Sequence, residues 1–132
     1  MRRLSFGAAA ATVALAWSAP ALATGGFGCR PVSGSGPTLD IVIGHTPSAR
    51  PLSVTLREGR RTFSTAAGAG GALVLGQSWI DERHLWLDLL DSNANRFEAK
   101  LRASFQPRMR GRPAIGTLVR GGRTYRMRCI EG

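Results

Sequence analysis

Few residues in this 132-residue chain are equipped for chemistry: two cysteines, two histidines, and eight acidic residues set against eighteen basic ones. Cys29 and Cys129 flank most of the sequence without a C-x-x-C spacing, and only His45 and His84 are available as nitrogen ligands. A zinc or redox centre needs more ligands or closer spacing than that. The pair reads instead as a structural disulfide tying the two ends of a domain together. Closing a loop of about 100 residues contributes on the order of 4–5 kcal/mol in the chain-entropy account.

The other chemical motifs also read as structure. Asp91-x-Asn93-x-Asn95 opens like a calcium loop, but Arg96 and Arg102 stand where the glycine and the bidentate acid belong. It is better read as a polar hairpin turn. Gly68-Ala69-Gly70-Gly71 lacks the spacing and the following Lys-Ser/Thr of a phosphate cradle. Asp81 and Glu82 are adjacent, so on a strand they would point to opposite faces and not act as a carboxylate pair. His45 falls in a loop and His84 begins a strand, and no nucleophile-elbow spacing accompanies either. The chain reads as non-catalytic, with no cofactor and no metal.

Charge is the one property that stands out. Residues 24–95 carry six arginines against six acids, whereas residues 96–132 carry nine arginines and Lys100 against Glu98 and Glu131. Arg108, Arg110 and Arg112 alternate through a segment bounded by Pro107 and Pro113. Arg102, Arg126 and Arg128 are expected to project outward from neighbouring strands, with Trp86 beside Arg102. Guanidinium groups with an exposed aromatic suit phosphates, sulfates and acidic polymers. A solvated face that keeps the protein soluble is the plainer reading of the same residues.

The elements that must carry these residues follow from the pattern. Met1-Arg2-Arg3, an apolar stretch from Leu4 to Trp17 and Ala21-Leu22-Ala23 match an export signal, with cleavage expected after Ala23. The apolar run is shorter than the roughly 20 residues of a membrane span. Removing Arg2 and Arg3 lowers the net charge from +10 to +8. The expectation is therefore a signal peptide over 1–23 and a single β domain over 24–132, periplasmic or secreted, with no membrane span after cleavage. That location also argues against nucleic acid as a partner.

Within the domain, apolar residues alternate with period two between turn residues. Leu39–Ile43, Leu52–Leu56, Arg61–Thr65, Ala72–Leu75 and Ser78–Ile80 read as short strands, and 66–71 as a Gly/Ala-rich loop. Leu85, Leu87 and Leu89 share one face, as do Phe97, Ala99, Leu101, Ala103 and Phe105 across the Asp91–Asn95 turn. Charge chooses the register there. Setting Asp88 opposite Lys100 and Trp86 opposite Arg102 avoids facing Asp88 with Glu98, and favourable cross-strand pairs contribute roughly 0.2–1 kcal/mol each. Gly121-Gly122 fits a two-residue primed turn that pairs Leu118 with Tyr125 and Gly116 with Met127, leaving Arg126 and Arg128 outside. The sum is an all-β antiparallel meander of about seven or eight strands, with a closed barrel preferred over a sandwich.

Three functions fit. The first is an exported, non-catalytic envelope protein that binds an anionic envelope component or an acidic protein through Trp86, Arg102, Arg108, Arg110, Arg112, Arg126 and Arg128. The second is an inhibitor of a secreted enzyme, since small exported barrels include lysozyme inhibitors. No stretch here carries that family's motifs, and a chain of +8 is repelled by a basic lysozyme. The third is a small hydrolase dependent on His45 or His84.

Overall fold

The structure, a computed structural model, describes residues 25–44, 50–66 and 71–132. The expected signal segment and its cleavage point, together with His45, fall outside the described residues. Ten strands follow one another: β1 (Gly25–Pro31), β2 (Thr38–Ile43), β3 (Pro51–Glu58), β4 (Arg61–Ser64), β5 (Gly71–Ala72), β6 (Val74–Ile80), β7 (His84–Leu90), β8 (Phe97–Phe105), β9 (Ala114–Arg120) and β10 (Arg123–Glu131). All lie in one sheet, ordered β5-β4-β3-β2-β1-β10-β9-β8-β7-β6, and only the β4–β5 pairing is parallel.

The sheet curls into a nearly closed barrel, as expected, but with ten strands rather than seven or eight. The missing strands have weak sequence signals. β1 begins Gly-Gly-Phe-Gly and shows no apolar alternation, and β5 is only two residues, Gly71 from the stretch read as a loop and Ala72 from the start of the expected 72–75 strand. The two outermost strands, β5 and β6, are consecutive in the chain and separated only by Leu73, whose N–H donates to Ser64 O at 2.9 Å. One stretch of chain thus borders both sides of the seam, which largely removes the free edges an open sheet would present.

Alternation fills the interior, except at Phe97, which is expected on the inner face but is 58 % exposed because the register shifts between Leu89 and Leu90. Leu39, Ile41, Val54, Leu56, Leu85, Leu87, Leu89, Leu101, Leu118 and Met127 are buried, with Phe27 and Phe105 packed against them and their ring centroids 5.6 Å apart. Ala99, Ala103, Ala114 and Gly116 keep one side of the core thin. At Gly116 a β-carbon would lie 1.9 Å from Arg102 O and 2.5 Å from Ala103 Cα, so β8 and β9 can approach this closely only over glycine.

β1 and β10 are neighbours, and Cys29 and Cys129 are Cα partners in that pairing, joined by a buried disulfide. The bridge therefore closes a loop whose ends already lie side by side in the sheet. A disulfide between buried partners is compatible with folding in an oxidising compartment. The expected β9–β10 hairpin is present residue for residue, with Gly121 and Gly122 both at positive φ.

The far end of the barrel is fastened by Arg120. Its Nε lies 3.1 Å from Glu58 on β3 and its Nη1 2.6 Å from Glu98 on β8, and its guanidinium stacks 5.3 Å from the Phe63 ring on β4. One largely buried guanidinium joins strands from both sides of the seam.

Candidate functional site

The outer face of β6, β7 and β8 carries a concavity. Leu75 pairs with Leu89 and Ser78 with Leu87, so Gly76 and Gln77 together stand opposite the single residue Asp88. This is a β-bulge, which bends the strand and redirects the side chains beyond it. Gly76 is suited to it, because a β-carbon there would meet Asp88 Cβ and O at 3.2 Å. Beyond the bulge, Trp79 and Trp86 are Cα partners, and Trp86 is in turn the partner of Arg102. Gln77, Ser78, Trp79, Trp86, Asp88 and Arg102 line a hollow of about 420 Å³.

Each aromatic wall is fixed from behind. Trp79 Nε1 donates to Asp81 Oδ2 at 2.8 Å. Asp81 Oδ1 accepts the backbone N–H groups of Arg83 and His84, both at 2.7 Å, and His84 Nδ1 lies 3.1 Å from both carboxylate oxygens. The His84 ring meets Trp86 edge-on, with centroids 4.8 Å apart. The His84 side chain first, then the Arg83 amide and the Trp79 indole, hold the Asp81 carboxyl well below the usual carboxylate range. Asp81 and Glu82 lie in a bend between β6 and β7, not on a strand, and both line one cleft with Glu131. The expectation that they point to opposite faces is corrected on that account.

The floor is Asp88, 6 % exposed. Its Oδ1 is buried 2.8 Å from Arg102 Nη2, yet it accepts no aligned hydrogen bond. Arg102 also donates from Nη1 to Leu101 O at 2.8 Å and lies 5.6 Å from the Trp86 ring centroid. The guanidinium is thus held by a carboxylate, a carbonyl and an indole face.

The residues expected to form one basic face are distributed over several places. Arg102, Thr117 and Arg126 are successive Cα partners across β8, β9 and β10. Arg126 therefore shares the outer surface with Trp86 and Arg102, but lies two strand spacings from Arg102, roughly 10 Å, and three from Trp86. Arg126 and Arg128 line a second hollow of about 320 Å³ with Val32, Gln106, Met109 and Ile115. Arg108 and Arg110 are exposed on the adjoining 106–113 loop, which is tied by the N–H of Gln106 to Pro113 O, of Met109 to Gln106 O and of Arg112 to Met109 O. Arg112, at φ 45°, turns to a third cleft with Phe27, Asp81, Glu82, Phe105 and Glu131. Among the described residues, Arg108, Arg110, Arg112, Arg126 and Arg128 have no carboxylate within 4 Å, whereas Arg30, Arg57, Arg96, Arg102 and Arg120 are all ion-paired.

The Asp91 segment is the turn its sequence suggested. Asp91 Oδ1 accepts the N–H of Asn95 at 2.8 Å and of Arg96 at 3.3 Å, and Ala94 takes a positive φ. Sequence reasoning missed Gln77, Ser78, Trp79 and Asp88 as partners of Trp86. A lone glycine inside a strand pattern, Gly76, was the available sign of a bulge. The chain matches no family model, no curated protein and no solved structure.

Proposed function

We propose that this is an exported, non-catalytic binding protein that captures an anionic amphiphile on the outer face of β10. The observation that carries this reading is the unpaired state of Arg126 and Arg128 beside apolar Val32, Met109 and Ile115. Two guanidinium groups two residues apart on one strand suit a phosphate or sulfate, which they engage through forked N–H donors. The neighbouring apolar side chains suit the hydrocarbon portion next to that head group. Arg108 and Arg110 extend the positive field toward solvent and favour encounter with negatively charged surfaces. An anionic component of a cell envelope fits both features, and an oxidising compartment fits the disulfide.

The test is binding to vesicles of zwitterionic lipid with and without phosphatidylglycerol, at low and at physiological salt. Binding is expected only with the anionic lipid and should fall sharply as salt rises, because exposed charges are screened over about 8–10 Å. Arg126→Gln/Arg128→Gln should weaken it far more than Arg60→Gln/Arg123→Gln, which removes the same charge from the β3–β4 turn and the hairpin end of β10. Binding that ignores salt, or that falls equally in both double variants, overturns the reading.

A further inference from the structure

We propose that the hollow framed by Trp79 and Trp86 above Asp88 and Arg102 is a second binding site, separate from the β10 face, and that it takes a ring of a neutral saccharide.

Three observations carry this. The first is the pair of indoles. Trp79 is 60 % and Trp86 40 % exposed, side by side on adjacent strands. Large aromatic surface left open to water in this way marks a contact site more often than a structural need. Neither ring is loose: Asp81 holds the Trp79 N–H, and His84 and Arg102 pack against Trp86. Walls fixed before the ligand arrives reduce the ordering entropy that binding must overcome.

The second is Asp88. Its Oδ1 is buried and pairs with Arg102 Nη2 at 2.8 Å, which fixes the carboxylate at the floor. Asp88 lines the hollow along with Gln77, Ser78 and Arg102. The set holds an acceptor, a donor, an amide that is both, and a hydroxyl that is both. That mixture matches vicinal hydroxyl groups, each of which donates and accepts.

The third is charge balance. Asp88 and Arg102 neutralise one another at 2.8 Å, so the hollow prefers neither an anion nor a cation. A quaternary ammonium between the two indoles would be attracted by the rings but would lie against the Arg102 guanidinium. An anion would meet Asp88. A neutral ring with apolar C–H faces and a polar rim meets neither objection. The volume of about 420 Å³ lies within the roughly 300–1,000 Å³ common for small-molecule sites.

Isothermal titration calorimetry of the whole protein with cellotriose, maltotriose, chitotriose and choline, at low and high salt, tests this. At least one trisaccharide should give a saturable, salt-insensitive heat of binding. Trp79→Ala and Trp86→Ala should each weaken binding about tenfold or more, and Trp86→Phe should keep most of it. Both indoles are largely at the surface, so these variants leave the core intact, and the phenylalanine variant separates lost stacking from lost fold. Arg126→Gln/Arg128→Gln should bind the sugar as the parent does, which keeps failure here distinct from failure of the anion site. No saturable response to any trisaccharide overturns the proposal. So does tighter binding of choline, undiminished sugar binding in Trp79→Ala/Trp86→Ala, or loss of sugar binding in the β10 variant.

Discussion

Arg102 reaches Asp88 on the diagonal. The two stand on neighbouring strands, but the Cα partner of Asp88 is Lys100 and that of Arg102 is Trp86. The charge argument that set the register from sequence arrived at the right alignment, yet the ionic partner is different. Lys100 places its ammonium 3.8 Å from the Phe97 ring centroid, and Arg102 takes the carboxylate at 2.8 Å. Diagonal neighbours in a sheet are within reach of long side chains, and arginine reaches further and forks.

Removing Arg102 should therefore matter much more than removing Lys100. Arg102→Met leaves the Asp88 carboxylate buried without its counter-charge and should lower stability by about 1–3 kcal/mol, less than for a fully buried pair because the guanidinium is partly in water. Lys100→Met should change stability by about 0.5 kcal/mol or less. In a double-mutant cycle with Asp88→Asn, urea unfolding should show that the losses at 88 and 102 are not additive. Additivity would mean that the two side chains do not interact.

Arg120 makes a stronger demand. It meets Glu58 and Glu98 and stacks on Phe63, at 12 % side-chain exposure, where the barrel end is fastened. Arg120→Ala should lower stability by about 2–4 kcal/mol, since it strands two acids and opens a gap over Phe63. Arg120→Lys should recover only part of this, because one ammonium cannot serve two carboxylates in the geometry of a planar fork. Thermal unfolding monitored by circular dichroism reads the difference, and an alanine variant as stable as the parent would show that the end of the barrel holds without this residue.

How much of this could be read in the chain depends on whether the signal is local. The β9–β10 hairpin was legible because Gly121-Gly122 permits one kind of turn and alternation does the rest. The β7–β8 register was legible because a slip would have faced Asp88 with Glu98. The disulfide was legible because two cysteines flank the domain and nothing else competes for them. β1 was not, since it shows no alternation and its Gly26 is needed only because β2 comes close: a β-carbon there would lie 2.2 Å from Ile41 O. The two-tryptophan hollow was not, because it depends on a bulge that shifts register by one residue between Leu75 and Ser78. The role of Arg120 was not, because its partner Glu58 is 62 positions away and only barrel closure brings them together.

The disulfide should be worth more to stability than to shape. Cys29 and Cys129 face one another across strands that are already hydrogen-bonded along β1 and β10. Cys29→Ser/Cys129→Ser should thus keep the strand-rich circular dichroism of the parent and lose about 2–5 kcal/mol in denaturant. A variant that loses its β signal at room temperature would show that the sheet pairing alone does not hold the first strand to the last.

The Trp79–His84 corner should keep its carboxylate charge until the pH is well below 4. Asp81 and Asp91 both have carboxyls held below their ordinary range, the first chiefly by the His84 side chain and the second chiefly by the Asn95 amide. A group whose folded pKa is depressed contributes stability that is present in full above its unfolded value, near pH 4, and is lost as pH falls toward the folded pKa. Between pH 7 and pH 5 these two groups should therefore leave stability unchanged, and below about pH 4 stability should decline. The Trp79 indole N–H donates to Asp81, so its NMR resonance reports that protonation directly. It should stay constant down to about pH 4 and shift only below, whereas in Asp81→Asn it should be flat over the whole range. A midpoint at or above the ordinary aspartate value would mean that His84, Arg83 and Trp79 do not hold the carboxylate in solution as they do in the fold.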